Sequence, residues 1–157
     1  MCGITGGVGV RAPNKGLLDA QLKSIEHRGP DDTGTYLNEG ISLGMCRLAI
    51  VEVAAGKQPA SDVSEMIQIV WNGEIYNYRE LRSELEQRGV HCRDSSESEV
   101  VINLYLEFGL DFINKLNGMF AIAIHDSRDK SLHLIRDRMG KKPLWISQLS
   151  DGTLFFA

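Results

Sequence analysis

The chain has few of the features that mark several large classes of protein. It has no run of basic residues, and its formal net charge of -4 argues against a nucleic-acid-binding surface, which needs clustered lysine and arginine. It has no apolar stretch near the roughly 18 residues of a membrane-spanning helix, and its N-terminus lacks the features of a secretory signal. Its three cysteines are scattered, so they form neither a disulfide framework nor a metal-binding spacing. We therefore expect a cytoplasmic protein with no nucleic-acid partner, no membrane partner and no bound metal.

The composition that remains is that of one globular domain. Hydrophobic residues make up 43% of the chain and charged residues 24%, which is ordinary for a folded protein and unlike a disordered one. We expect Cys46 and Cys92 to be buried or half-exposed free thiols. The sequence stops inside the apolar segment 154–157, so we expect residues 1–157 to be a domain cut from a longer protein.

The first two residues, Met1 and Cys2, offer a candidate nucleophile. Removal of an initiator methionine, which is common before a small residue, would give Cys2 a free α-amino group beside its thiol. In general an α-amino group has a pKa of about 7.7–8.0 and a cysteine thiol one of about 8.5, so such an amine can act as the base for a thiol on the same residue. The glycine-rich apolar stretch 2–10 predicts a strand buried on both faces, whose glycines let another backbone come close. Cys2 is therefore either the start of a buried strand or a nucleophile held by one.

Two other polar positions lie beside apolar runs. Arg47 either covers apolar surface at a strand edge or binds a substrate carboxylate through its guanidinium. The strand predicted over 66–71 runs into Asn72 and Gly73. These two residues form either a hairpin turn or a pair of oxyanion donors, the Asn72 amide and the Gly73 N–H. A helical segment follows and ends at Gly89, which disfavours the hairpin.

The other segments alternate between helical stripes and short strands. Helices are predicted over 14–26, over a segment ending at Gly89, over 97–108 and in a turn near 111–116. Further strands are predicted over 33–38, 41–46, 119–125, 131–136, 144–146 and 153–156. Ser96 and Glu99 have the spacing of a capping box. With few helices and many hairpins, the pattern favours an α+β sandwich of antiparallel sheets over a doubly wound fold.

Six blocks of the sequence together resemble the class II glutamine amidotransferases, and specifically the N-terminal glutaminase domain of the asparagine synthetase group. The blocks are MCGI, HRGPDDTG, RLAIVEVAAGKQP, WNGEIYNYRELRSELE, LNGMFAIAIHD and RDRMGKKPLW. They are spread along nearly the whole chain in one register, and NGEIYN after MCGI is highly specific. The resemblance implies the N-terminal-nucleophile (Ntn) hydrolase fold, a four-layer α/β/β/α sandwich of two mainly antiparallel sheets.

The resemblance also implies a reaction, the hydrolysis of the glutamine side-chain amide to glutamate and ammonia. Cys2 would form a thioester with its own α-amino group moving the proton, and Asn72 and Gly73 would hold the oxyanion. The implied substrate-binding residues are Arg47 for the α-carboxylate, Ile50 and Val51 through their backbone groups, Glu74 for the polar end and Glu97 for the α-ammonium group.

In the family, the ammonia passes to a C-terminal synthetase domain that activates a carboxylate with ATP. The glutaminase domain needs no cofactor, and ATP and Mg²⁺ would bind only to the synthetase domain, which these residues do not contain. The acceptor stays open between aspartate and another carboxylate such as a sugar uronate, and a homodimer is also left open. Two alternatives remain: a degenerate domain kept for assembly or regulation, and an Ntn amidase that acts on another amide.

One position departs from the family pattern and yields a prediction. The usual block Ser-Asp-Thr-Glu-Val reads Ser-Glu-Ser-Glu-Val over residues 96–100, so the carboxylate of Glu97 lies one methylene further out. We predict that glutamine binds more weakly than in an aspartate-bearing relative, and that Glu97→Asp lowers KM in steady-state glutamine hydrolysis. An unchanged or higher KM would contradict this explanation. Met45-Cys46 before Arg47 is a second departure, since the family commonly has histidine there.

Overall fold

Two antiparallel sheets stack face to face in the part of the chain that the structure describes, residues 2–48 and 57–157. The structure is a computed structural model. Its strands are β1 (Gly3–Val8), β2 (Asp32–Asn38), β3 (Ile41–Arg47), β4 (Ala60–Ser61), β5 (Ile67–Ile75), β6 (Gly118–Asp126), β7 (Ser131–Arg136), β8 (Ile146–Gln148) and β9 (Leu154–Phe156). Its helices are α1 (Lys15–Ile25), α2 (Tyr78–Gln87) and α3 (Glu97–Phe108), with 3-10 segments at Glu26–Arg28 and Gly109–Lys115.

The strand order gives two sheets of unequal size. The first sheet has the order β2-β3-β1-β9-β8, and the second has the order β4-β5-β6-β7. Every strand pair is antiparallel. The α+β sandwich of antiparallel sheets predicted from the sequence is therefore confirmed.

Alternating side chains divide the core into layers, because successive residues of a strand point to opposite faces. The layer between the sheets contains Ile4, Ile41, Leu43, Met45 and Phe156 from the first sheet with Val70, Ala121 and Ala123 from the second. On the outer face of the first sheet, Leu18 and Leu22 of α1 pack against Cys46. The outer face of the second sheet packs against α2 and α3. The order of layers is thus helix, sheet, sheet, helix.

The glycines of β1 allow other strands to come close, as the sequence predicted. A Cβ atom on Gly6 would lie 2.2 Å from the carbonyl oxygen of Ser42 in β3 and 2.8 Å from the ring of Phe156 in β9. Both contacts are shorter than any real Cβ contact, so Gly6 is required by its neighbours.

The second sheet differs from the prediction in the length of β5. The sequence predicted a strand over 66–71, but β5 continues to Ile75 because Asn72, Gly73, Glu74 and Ile75 remain paired with β6. The hairpin alternative for Asn72-Gly73 is wrong, and the segment leads into α2 as expected.

Two other strand predictions need correction. The strand expected over 144–146 begins at Ile146, and the two-residue β4 was not predicted because it is too short to show a period.

Ser96 caps α3 as predicted, with its Oγ accepting from the Glu99 N–H at 3.2 Å. The reciprocal half of the capping box is wrong. The Glu99 carboxylate binds the charged Arg93 at 2.7 Å, a stronger partner than a neutral N–H, and Asp94 accepts from the Ser96 N–H at 2.8 Å.

The expectation for two of the cysteines is confirmed. Cys46 is a buried free thiol and Cys92 a half-buried one, and burial raises the pKa of both thiols. Within the described ranges, none of the helices has the length and apolar character needed to cross a membrane.

A buried carboxylate ties the far end of the second sheet to α3. Arg128 Nη2 lies 2.6 Å from Asp126 Oδ2, and the Tyr105 hydroxyl donates to the same oxygen at 2.9 Å. The Arg128 hydrogen bond is the main reason that the pKa of Asp126 falls to about 2. Because an unfolded aspartate has a pKa of about 3.9, the ionised Asp126 stabilises the folded state above that pH, and the contribution is lost as the pH falls through about 2.

We predict that Asp126→Asn lowers the free energy of unfolding by about 2 kcal/mol at pH 7. The difference from the wild type should shrink between about pH 4 and pH 2, because the wild-type carboxylate is then protonated too. Urea unfolding of the wild type and of Asp126→Asn between pH 7 and pH 2 measures this difference in the free energy of unfolding. Asp19→Asn is the control, since Asp19 pairs with Lys15 on the exposed face of α1 and should contribute little. A difference that stays constant from pH 7 to pH 2 would contradict the prediction.

Candidate active site

Cys2 and Arg47 lie side by side at one end of the space between the sheets. Cys2 precedes β1 and packs against the layer between the sheets, on the same side as Ile4. In β3, Arg47 alternates with the inward-facing Met45, so its side chain starts from that same face. The register pairs Gly3 with Cys46. If the same register continues by one residue, Cys2 lies opposite Arg47.

The turn after α1 holds both of these residues. Arg28 Nε donates to the carbonyl oxygen of Cys2 at 3.2 Å, and the Asp31 N–H donates to the carbonyl oxygen of Arg47 at 3.0 Å. Gly29 packs so closely that a Cβ atom there would lie 2.5 Å from the carbonyl carbon of Arg47. Arg28 was not among the site residues predicted from the sequence. The signal for it was an arginine directly before a Gly-Pro turn, in one of the blocks that carried the resemblance.

Asn72 approaches the same end from the second sheet. It is buried, with 6% of its surface exposed, and it alternates with Val70, which lies in the layer between the sheets. Asn72 lines a cavity of about 210 Å³ together with Gly3, Ile4 and Arg28. The structure therefore brings the start of β1 and the Asn72 side chain to one cavity.

The Gly73 N–H points away from β6. Gly73 lies opposite Phe120, whose own backbone groups are both occupied on the β7 side. The Asp137 N–H donates to the Phe120 carbonyl at 2.9 Å, and the Phe120 N–H donates to Asp137 Oδ2 at 3.2 Å. In an antiparallel pair of this type, the backbone groups of Gly73 face the opposite side. Trp71, two residues earlier, follows the same rule, because its N–H donates to Gln58 Oε1 at 2.6 Å.

Within residues 2–48 and 57–157, no strand pairs with that side of β5 beside Gly73, since β4 pairs only with Ile69 and Gln68. We call this side the open edge of β5. Gly73 has a φ of 155°, and a Cβ atom on it would lie 2.0 Å from the carbonyl oxygen of Met119. Glycine is therefore required at the position that presents this N–H.

The two acidic candidates lie at different places around β5. Glu74 is exposed near the end of the strand, on the same face as Asn72. Glu97 is half-buried and begins α3, which packs on the outer face of the second sheet. Arg93, just before α3, donates to the carbonyl of Ser61 in β4, so the start of α3 borders the open edge of β5. Ile50 and Val51 lie outside the described residues.

Residues 2–48 and 57–157 contain no group of three or more His, Cys, Asp or Glu side chains placed to hold a metal ion. The chemistry that these residues offer is that of a thiol, an amide, a backbone N–H and a guanidinium. This set suits acyl transfer, in which a nucleophile attacks a carbonyl and donors stabilise the resulting oxyanion.

A family model for the glutamine amidotransferase domain matches residues 1–157. The chain belongs to the glutamine amidotransferase family. This amidotransferase domain is 38% identical over 160 residues to asparagine synthetase [glutamine-hydrolyzing] 1 of Bacillus subtilis, a match that covers 99% of the chain and 25% of that protein. It is 38% identical over 161 residues to asparagine synthetase [glutamine-hydrolyzing] 3 of Arabidopsis thaliana, covering 100% of the chain and 27% of that protein.

The amidotransferase domain thus spans about a quarter of the length of these two relatives. Among solved structures, it resembles the glutamine phosphoribosylpyrophosphate amidotransferase from B. subtilis, with a TM-score of 0.77 at 20% identity. That likeness covers 99% of the chain and 41% of the solved chain. It confirms the N-terminal-nucleophile sandwich that the sequence resemblance implied.

We predict that Gly73→Ala lowers kcat for glutamine hydrolysis by about 10²–10³, the usual cost of losing one oxyanion donor. The added Cβ has to push β5 away from Met119, and the N–H moves with the strand. Gly40→Ala is a matched control, because Gly40 also has a positive φ, has nothing within 4 Å of the added Cβ, and lies in the β2–β3 turn at the far end of the sheet. The control should lose about 1 kcal/mol of stability and keep its kcat. Equal kcat values for the two variants would refute the role given to Gly73.

Proposed function

We propose that this amidotransferase domain hydrolyses the side-chain amide of glutamine to glutamate and ammonia through a thioester on Cys2. The observation that carries the proposal is the shared position of Cys2 and Arg47 on the inner face, at the end where Asn72 is buried. On this proposal, a nucleophile, a carboxylate anchor and an amide donor lie at one end of the inter-sheet layer, and glutamine binds between them.

The reaction starts at the N-terminal residue once Met1 has been removed. The α-amino group of Cys2 takes the thiol proton, and the thiolate attacks the side-chain carbonyl carbon of glutamine. The negative charge on the carbonyl oxygen is stabilised by the Asn72 amide and the Gly73 N–H. As the tetrahedral intermediate collapses, the α-ammonium group gives its proton to the leaving nitrogen, and ammonia departs. Water then hydrolyses the thioester, which releases glutamate and restores the thiol.

The two charged ends of the amino acid need partners of opposite sign. The Arg47 guanidinium binds the α-carboxylate, for which its planar fork is suited, and the backbone groups of Ile50 and Val51 assist it. Glu97 binds the α-ammonium group, and Glu74 helps to hold the polar end. These contacts fix the side-chain amide of glutamine against Cys2.

We further propose that the ammonia serves an ATP-dependent amidation outside this chain. The support is that the two relatives described above are named glutamine-hydrolyzing asparagine synthetases and are about four times as long as the match. The amidotransferase step itself uses no cofactor, and ATP and Mg²⁺ belong to the second reaction. The acceptor is aspartate or another carboxylate. A reducing compartment such as the cytoplasm keeps the Cys2 thiol available.

The test is glutamate and ammonia release from glutamine by the wild type and by Cys2→Ala. We expect the variant to lose the activity and Cys92→Ala, which removes another free thiol, to keep it. Equal rates for the wild type and Cys2→Ala would overturn the proposal and favour a domain kept for assembly or regulation. A panel of other amides completes the test, since a faster rate on one of them would replace glutamine as the substrate.

The intact mass of the protein has to be measured alongside the rate. A retained Met1 would acylate the α-amino group that acts as the base, so that form should be inactive. A fully active protein whose mass includes Met1 would overturn the role given to the α-amino group.

A further inference from the structure

Trp71 connects the oxyanion strand to the start of α3 through a buried hydrogen bond. Its indole Nε1–H donates to Ser98 Oγ at 2.9 Å, and both side chains are at least 95% buried, with exposed fractions of 5% for Trp71 and 3% for Ser98. The backbone N–H of the same Trp71 donates to Gln58 Oε1 at 2.6 Å on the open side of β5. Trp71 is therefore fixed by one hydrogen bond from its backbone and one from its side chain.

The two partners of this bond each stand next to a candidate site residue. Trp71 directly precedes Asn72, and Ser98 directly follows Glu97. Adjacent Cα atoms are about 3.8 Å apart, so a shift of Ser98 relative to Trp71 moves Glu97 relative to Asn72 and Gly73. Asn72 faces the inner layer, and Glu97 begins a helix on the outer layer. The Trp71–Ser98 bond is a buried side-chain hydrogen bond that joins the two sides next to the candidate site.

We propose that the Trp71–Ser98 hydrogen bond is a positioning device that sets the distance between Glu97 and the oxyanion donors. The inference deepens the proposed function and rests on it, because it assigns Glu97 to the α-ammonium group of glutamine. Trp71 and Ser98 themselves need not touch the substrate, so they are positioning residues.

The helix moves more easily than the strand when the bond is lost. β5 is fixed by nine residue pairs with β6, whereas the first turn of α3 is held by side chains. Those side chains include the Ser96 cap, the Glu99–Arg93 ion pair, Ser98 and the buried Val100 and Val101. Without the Ser98 hydroxyl, the buried indole N–H has no acceptor, which favours a relaxed position of the turn. Binding glutamine then has to restore the original position at a cost in affinity.

Ser98→Ala is therefore expected to raise KM for glutamine about tenfold. Its kcat should stay within about threefold of the wild-type value, because a contact to the α-ammonium group acts equally in the ground state and the transition state. Ser98→Thr keeps the hydroxyl and should restore KM. Trp71→Phe removes the donor from the other side and gives a second route to the same KM change, should Ser98→Ala fold poorly.

Tyr105→Phe is the matched control. It also removes a buried 2.9 Å hydrogen bond between α3 and the second sheet, the one from Tyr105 to Asp126 at the far end of the helix. The midpoint temperature of thermal unfolding should fall for both Tyr105→Phe and Ser98→Ala, but only Ser98→Ala should change KM. An equal change of KM in both variants would mean that the bond only stabilises the fold, and would overturn the proposal.

A double variant tests whether Ser98 acts through Glu97. Glu97→Gln should raise KM by itself, and adding Ser98→Ala should then change KM by less than about twofold, because the group being positioned has already lost its charge. If the two effects on ln KM add instead, Ser98 acts without Glu97 and the proposal is wrong.

Binding measurements separate this proposal from the proposed function. Calorimetry with glutamine is carried out in the Cys2→Ala background, with and without Ser98→Ala, so that no turnover is needed. A tenfold higher Kd with Ser98→Ala supports the positioning role even if the wild type hydrolyses no glutamine. The lack of hydrolysis would then contradict only the proposed reaction. An unchanged Kd in an enzyme that does hydrolyse glutamine would contradict only the positioning role. No glutamine binding at all would overturn both.

Discussion

The antiparallel pairing of β1 with β3 is held by contacts that only glycine permits. Gly6 leaves no room for a Cβ atom against the carbonyl oxygen of Ser42. Beyond it, a backbone hydrogen bond that does not itself require glycine, from the Gly9 N–H to the carbonyl of Gly40 at 2.8 Å, extends the pairing. These contacts lock the register that sets Cys2 opposite Arg47. A slip of one residue would exchange the inner and outer faces of the strand. The proposed nucleophile, Cys2, and the proposed carboxylate anchor, Arg47, thus depend on a backbone fit that lies mostly outside the candidate site.

The second sheet contributes to the site because β5 continues beyond its apolar run. As long as Gly73 stays paired with Phe120, its N–H has to point to the open edge of the strand. A turn at Asn72 would have aimed the same N–H elsewhere. The donor is therefore oriented by the alternation of an antiparallel ladder, and it needs no rearrangement at the moment of reaction, which is what oxyanion stabilisation requires. The Asn72 amide, from the same strand, faces the inner layer.

The sandwich has a consequence for how substrate affinity and reactivity are divided. Cys2 and Asn72 lie on the face between the sheets, whereas Glu97 begins a helix on the outer layer. The proposed reaction is thus built on strands fixed by ladder hydrogen bonds. The proposed contact of Glu97 to the amino-acid end relies partly on the side-chain hydrogen bond between Trp71 and Ser98. On this proposal, a change in α3 alters substrate affinity with little effect on the reacting groups.

Residue types and their spacing were enough to predict the α+β sandwich, the close approach permitted by the glycines of β1, and the cap at Ser96. The family blocks were enough to name Cys2, Asn72, Gly73, Arg47 and Glu97 as candidates. The sequence could not show the Arg28 contact to Cys2, because a loop residue acquires its partner only when the chain folds back. Nor could it show that β5 continues to Ile75 or that Trp71 meets Ser98, since both follow from packing between segments distant in sequence. The sequence by itself determined which chemical groups the domain has, while the tertiary structure decided which face each group points to, because strand register and layer packing are properties of the assembled sheets.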